Sequence, residues 1–121
     1  MATYTDAKTV AFEELVASYA QKALPIRWEV IDDECQVELV FVFKRPQRLM
    51  RKKDAPGRIQ HTKKPDIDNL CKSACDGLNS VVYTDDARIT KIQAAKFFAA
   101  KDEEPKTIIT VRCGESPSLC W

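Results

Sequence analysis

Nine consecutive residues, Cys35-Gln36-Val37-Glu38-Leu39-Val40-Phe41-Val42-Phe43, constrain any fold of this chain. Polar and apolar residues alternate at first, as in a strand with one face in a core, and then the run becomes wholly apolar. Successive side chains of a strand point to opposite faces, so a run that is apolar on both faces needs cover on both. The segment is therefore read as a central strand, entered from the acidic turn Asp32-Asp33-Glu34.

Two amphipathic helices accompany it. Phe12, Leu15, Val16, Tyr19, Ala20, Ala23 and Leu24 recur at three- and four-residue spacing, which predicts a helix from about Asp6 to Leu24, ended by Pro25. Ile67, Leu70, Cys71, Ala74, Cys75 and Leu78 mark a second, preceded by Pro65 and ending near Asn79. After the short apolar link Val81-Val82-Tyr83 and the turn Thr84-Asp85-Asp86, a strand is expected from Ile89 to about Phe98. The turn Lys101-Asp102-Glu103-Glu104-Pro105 then leads to a second β-rich run, Thr107 to Arg112, and the pair reads as a hairpin. The tail from Gly114 to Trp121 carries no fold signal. The chain has 121 residues, enough for one core, so residues 1–121 are expected to form a single α+β domain with two helices on one face of a small mixed sheet.

Charge is unevenly placed. Between Lys44 and Lys64 stand nine basic residues, Lys44, Arg45, Arg48, Arg51, Lys52, Lys53, Arg58, Lys63 and Lys64, against the single acid Asp54. This segment carries a net +8 and leaves −7 for the rest of the chain. Pro46, Pro56 and Gly57 punctuate it and no apolar period runs through it, so it reads as a long mobile loop whose nine cations contact nucleic acid. A charge run can also be a plain solvated surface.

Five cysteines, Cys35, Cys71, Cys75, Cys113 and Cys120, include no C-x-x-C pair and read as reduced thiols. Cys71 and Cys75 would share a helix face, but a zinc site wants four ligands, and small buried apolar residues are the better reading. His61 is the sole histidine and has no evident nucleophile partner. No membrane-spanning run or signal-peptide pattern is present, and a cytoplasmic protein without membrane contact is expected.

The acidic residues give the sharpest lead. In Lys64-Pro65-Asp66-Ile67-Asp68-Asn69-Leu70, two carboxylates stand where the chain enters the second helix. Asp68, Lys72 and Asp76 follow at four-residue steps on one helix face, and Asp85-Asp86 is expected to return against it. Carboxylates without histidine or thiolate select hard cations, Mg²⁺ or Mn²⁺, which activate water or stabilise a leaving oxygen in phosphodiester hydrolysis. Each piece also has an ordinary explanation: a helix cap, an i,i+4 charge ladder, a turn.

The stretch His61 to Ile89, HTKKPDIDNLCKSACDGLNSVVYTDDARI, resembles the RusA family of Holliday junction resolvases, whose members carry P-D-x-D-N-L, a helix with D-x-L-N and a following D-D. Weaker resemblance extends over most of the chain. The resemblance implies a homodimeric, Mg²⁺-dependent endonuclease that nicks four-way DNA junctions. By motif position, Asp66, Asp68 and Asp86 would bind the metal, Lys72 would be the catalytic lysine, and Asp85 would be a further candidate ligand. Family members usually begin with an additional strand before the first helix; here Thr3-Tyr4-Thr5 already stands at the helix approach, so that strand is expected to be missing. Two other readings stand beside the nuclease: a branched-DNA-binding dimer of weak or no activity, and a structural protein whose basic loop meets an acidic protein partner.

Overall fold

The computed structural model describes residues 7–24, 30–79, 81–113 and 119–120, with side chains given for all but 7–10, 113, 119 and 120. The chain order is helix α1 (Ala7–Ala23), strand β1 (Cys35–Phe43), strand β2 (Ile59–Gln60), helix α2 (Ile67–Leu78), strand β3 (Ile89–Phe98), strand β4 (Lys106–Cys113) and strand β5 (Leu119–Cys120). The strands form one mixed sheet in the order β2-β3-β1-β4-β5. The architecture is α+β, as expected, and β1 is central with the bounds its pattern predicts. Residues 1–6 and 25–29 lie outside the described set, and with them the expectation that an opening strand is missing, and the expected helix ends at Asp6 and Pro25.

β1 runs parallel to β3 and antiparallel to β4. Cys35, Val37, Leu39 and Phe41 are buried and share a core with Val16 and Ala20 of α1, Ala74 and Leu78 of α2, and Ile109 and Val111 of β4. On the other face, the exposed Gln36 and Glu38 give way to the half-buried Val40 and the buried Val42. The register sets Ala95 and Ile108 beside Val40 and Phe97 beside Val42, so the apolar second half of the run has apolar neighbours there too, with Lys106 on the β4 side of Val42.

This arrangement corrects two expectations. β3 and β4 do not pair as a hairpin, because β1 lies between them. A strand apolar on both faces is most stable with neighbours on both edges, and the link through residues 99–105 passes its end, where Ala99 N–H donates to the Phe43 carbonyl at 2.8 Å. The tail also adds to the sheet: Leu119 and Cys120 pair with Val111 and Thr110 on the outer edge of β4. Two residues are too few for an alternation to show in sequence.

The helices meet closely. A Cβ on Gly77 would stand 2.8 Å from both the Glu13 carbonyl oxygen and Val16 Cβ. Only part of the apolar stripe of α1 is buried by this contact and the sheet; Leu15 and Tyr19 remain 54% and 58% exposed. Beyond α2, Tyr83 is fully buried and its hydroxyl donates to the Cys75 carbonyl at 2.7 Å. Ile31 N–H donates to the Val82 carbonyl and Thr84 N–H to the Ile31 carbonyl, each at 2.9 Å, so residues 82–84 are fastened to the approach of β1.

Gly77→Ala should therefore destabilise the protein by roughly 1–3 kcal/mol in urea unfolding, although alanine favours a helix by about 1 kcal/mol, because a backbone carbonyl and a β-branched side chain must move. Gly57→Ala, with nothing within 4 Å of the added methyl, is the control and should shift stability by less than about 0.5 kcal/mol.

Candidate active site

Asp66 occupies the N-cap position of α2 with extended backbone (φ −69°, ψ 146°), yet its carboxyl makes no capping hydrogen bond. The capping explanation therefore does not account for this residue. Asp68 lies in the first helical turn, where the amide ends favour negative charge. Lys72 follows one turn on, flanked by Asp68 and Asp76 at four residues on either side. It forms no ion pair with a described residue, so the simple ladder is not closed.

An open cleft of about 630 Å³ separates α2 from the start of β3. Asp68, Cys71, Lys72 and Cys75 line it from the helix, Asp86 from the preceding turn, and Ile89 through Ile92 from the strand. The structure thus brings Asp68, Lys72 and Asp86 to one cleft. Asp66 is exposed and does not line it, and among the described residues no three acidic, histidine or cysteine side chains are close enough to share a metal ion.

The two adjacent aspartates do different work. Asp85 caps the 3-10 turn Asp86–Arg88, its Oδ1 accepting from Ala87 N–H at 2.9 Å. That bond, with the hydrogen bond shared with Asp86, holds the Asp85 carboxyl below its ordinary value. Asp86 is pushed up, first by the same shared hydrogen bond, then by burial and by the negative charges of Asp85 and Asp76. The cleft therefore concentrates negative charge that favours protonation or a nearby cation.

Three residues around this site were not legible beforehand. Asp32, read as part of a turn, accepts from Thr84 Oγ1 at 2.9 Å and Arg88 Nε at 3.0 Å, gripping the chain on both sides of Asp85-Asp86. Its carboxyl is held low by the Thr84 bond and then by Arg88. Glu13 of α1 is raised by burial and by Asp76, against the opposing effect of Lys72, which places it in the same electrostatic neighbourhood. Lys96 of β3 donates to the Lys63 and Pro65 carbonyls just ahead of Asp66. The cysteines of the cleft behave as apolar wall: burial pushes Cys75 up to about 11 and raises Cys71 as well, so both are neutral thiols near pH 7.

His61 is buried, with its ring stacked on Phe98 (centroids 4.2 Å apart, 16° between planes) and edge-on to Phe43 at 4.8 Å. Nδ1 accepts from Lys63 N–H at 3.1 Å, and burial followed by the charge of Lys96 lowers its pKa. Its place is structural.

Residues 44–64 carry internal order. Arg45 is only 6% exposed, and its guanidinium donates from Nε to the Leu49 carbonyl (2.7 Å), from Nη1 to Gly57 (3.1 Å) and from Nη2 to Ala55 (2.5 Å). Arg51 pairs with Asp54 at 3.1 Å. Arg58 pairs with Glu103 at 2.6 Å, which with the Ala100 N–H holds Glu103 down at about 2. The nine expected DNA contacts thus divide: Arg45 is an internal anchor, Arg51 and Arg58 have acidic partners, and Lys44, Arg48, Lys52, Lys53, Lys63 and Lys64 are exposed.

A small α+β domain with an acidic, lysine-bearing cleft and an exposed cationic loop is the class that fold and site define. A model of the endodeoxyribonuclease RusA family matches residues 2–112, and the chain belongs to that family. It is also 34% identical over 62 residues to YqaN of Bacillus subtilis (strain 168), described as an uncharacterized protein. That match covers 51% of this chain and 42% of YqaN, so the aligned part is less than half of the relative's length. No solved structure matches the chain. No helix among the described residues is long and apolar enough to cross a membrane.

The division of the loop has a measurable consequence. Arg45→Met leaves three carbonyls without their charged donor and should cost roughly 2–3 kcal/mol in urea unfolding. The Lys52→Ala/Lys53→Ala pair should leave stability within about 0.5 kcal/mol and reduce the slope of log DNA affinity against log salt by up to about 2.

Proposed function

We propose that this protein is a structure-selective endodeoxyribonuclease that resolves four-way DNA junctions in recombination and repair, by metal-dependent phosphodiester hydrolysis and as a homodimer. The observation that carries this reading is the convergence of Asp68, Lys72 and Asp86 on one cleft in a chain of the RusA family.

The donor chemistry fits Mg²⁺ or Mn²⁺. The anionic groups at the cleft are carboxylates, facing the cations Lys72 and Lys91, and the thiols beside them are protonated; Asp86, raised first by the hydrogen bond it shares with Asp85, then by burial and the charges of Asp85 and Asp76, would be stabilised as an anion by a cation. Asp68 and Asp86 would hold it, with Asp66 as third carboxylate. A bound divalent cation supplies activated water or a stabilised leaving oxygen. Lys72 places a positive charge on the same cleft wall, where it would stabilise charge developing on the scissile phosphate. Asp85 supports the site by capping the turn that presents Asp86. The exposed lysines and Arg48 of the loop supply sequence-independent attraction to the DNA backbone.

Two equivalent strands of a four-way junction call for two sites in matching register, which a two-fold dimer provides. The sheet face away from the helices offers Val40, Ala95, Phe97 and Ile108, all half-buried, as apolar surface for such a contact. A species of twice the chain mass in sedimentation at micromolar concentration is expected; a clean monomer would remove the paired-nick mechanism.

One observation favours a second reading, a branched-DNA-binding dimer of weak or no activity: no three described carboxylates lie within reach of a shared ion. A nicking assay on a synthetic four-way junction separates the two. The nuclease reading expects Mg²⁺-dependent paired nicks, lost by at least about 100-fold in Asp68→Asn and Asp86→Asn, and a Lys72→Ala variant slowed by about 100-fold with junction affinity in Ca²⁺ preserved. Tight junction binding without cleavage in Mg²⁺ or Mn²⁺ would establish the second reading.

A further inference from the structure

The carboxylates that open α2 lie just downstream of an exposed stretch with little packing of its own. Residues 62–69 are all exposed, and Asp66 does not use its carboxyl to tie the chain to the helix amides. Upstream, the segment is anchored by the buried ring of His61, whose Nδ1 holds Lys63 N–H. Downstream, α2 is seated in the core through Leu70, Ala74 and Leu78. Between these anchors, Lys96 reaches out from β3 and its ammonium donates to two main-chain oxygens, at 2.5 Å to Lys63 and 2.6 Å to Pro65. Lys96 stands beside Phe41 of the central strand, so the clamp rises from a strand hydrogen-bonded into the sheet.

We propose that Lys96 is a positioning residue: by bridging the Lys63 and Pro65 carbonyls it fixes the approach to α2, and so the direction from which the Asp66 and Asp68 carboxyl groups enter the site. The assignment of this role rests on the nuclease reading above. Lys96 does not line the cleft and pairs with no described carboxylate, so its hydrogen-bonding is directed at the main chain. An ammonium bonded to two carbonyls supplies charge-assisted hydrogen bonds that neutral neighbours would not match. Groups that orient metal-ligating carboxylates from behind typically carry 10- to 100-fold in activity or metal affinity.

The test uses the full chain as Lys96→Met, which keeps the length of the side chain but removes its donors, and Lys96→Arg, which keeps charge and donors. In Lys96→Met, amide hydrogen exchange at Lys63 and Leu70 should rise while exchange in β1 is unchanged. The single-turnover rate on a four-way junction should fall about 10- to 100-fold with a higher Mg²⁺ midpoint, junction affinity in Ca²⁺ should stay within about twofold, and Lys96→Arg should recover most of the rate. Unchanged exchange at Lys63 and Leu70 overturns the proposal. So does a rise spread over the whole sheet, which would mark a purely structural residue, or a rate loss matched by an equal loss of junction affinity, which would mark a DNA contact. If the unaltered protein cuts no junction, the nuclease reading fails on its own, and the exchange data still decide whether Lys96 holds the segment.

Discussion

Everything in this domain is arranged around the demand of β1 for neighbours on both edges. β1 satisfies it with β4 on one side, antiparallel, and β3 on the other, parallel. A parallel neighbour cannot be reached by a tight turn; the chain must cross from the end of one strand back to the level of its start. Here that crossover is residues 44–88, and it contains the basic loop, α2 and the Asp85-Asp86 turn. The candidate site is thus housed in the connection that the parallel pairing requires.

The same connection separates charge by level. At the end of β1 the chain enters the cationic segment, organised by the buried Arg45 and tied to the β3–β4 link through Arg58 and Glu103. At the start of β3 it delivers Asp85-Asp86, held by Asp32 through Thr84 and Arg88. α2 runs between the two, its N-terminus near the basic stretch and Asp76 toward the acidic turn. A polyanion drawn to the loop would meet the first carboxylates where α2 begins, and there a bound cation would offset the repulsion between phosphate and carboxylate.

Periodic features of this fold were legible in the sequence; pairings over distance were not. The alternation in Cys35–Phe43 and the three-four spacing of Ile67–Leu78 are local and survived into β1 and α2 with the expected bounds. The hairpin failed because the pattern of Ile89–Phe98 states that it is a strand but not which strand lies beside it. Arg45 was counted with the DNA contacts because its role depends on carbonyls four, ten and twelve residues away, which composition cannot reveal. Asp68, Lys72 and Asp86 reach a common cleft because two of them sit one helical turn apart and the third sits on the turn held by Tyr83 and Asp32. Glu13, Asp32 and Lys96 carry no motif, and only the folded chain brings them to the site.

The anchoring of the basic segment through main-chain oxygens has a consequence for how such a protein diversifies. Carbonyl groups are supplied by every amino acid, so the frame that Arg45 holds at Leu49, Ala55 and Gly57 makes little demand on the side chains mounted on it. Lys52 and Lys53, at the exposed tip, are therefore open to replacement by aromatic, neutral or acidic residues without rebuilding the turn. Substitution at the tip would change the charge and shape of this surface while the crossover beneath it stays as it is, which makes the tip the part of the domain freest to vary.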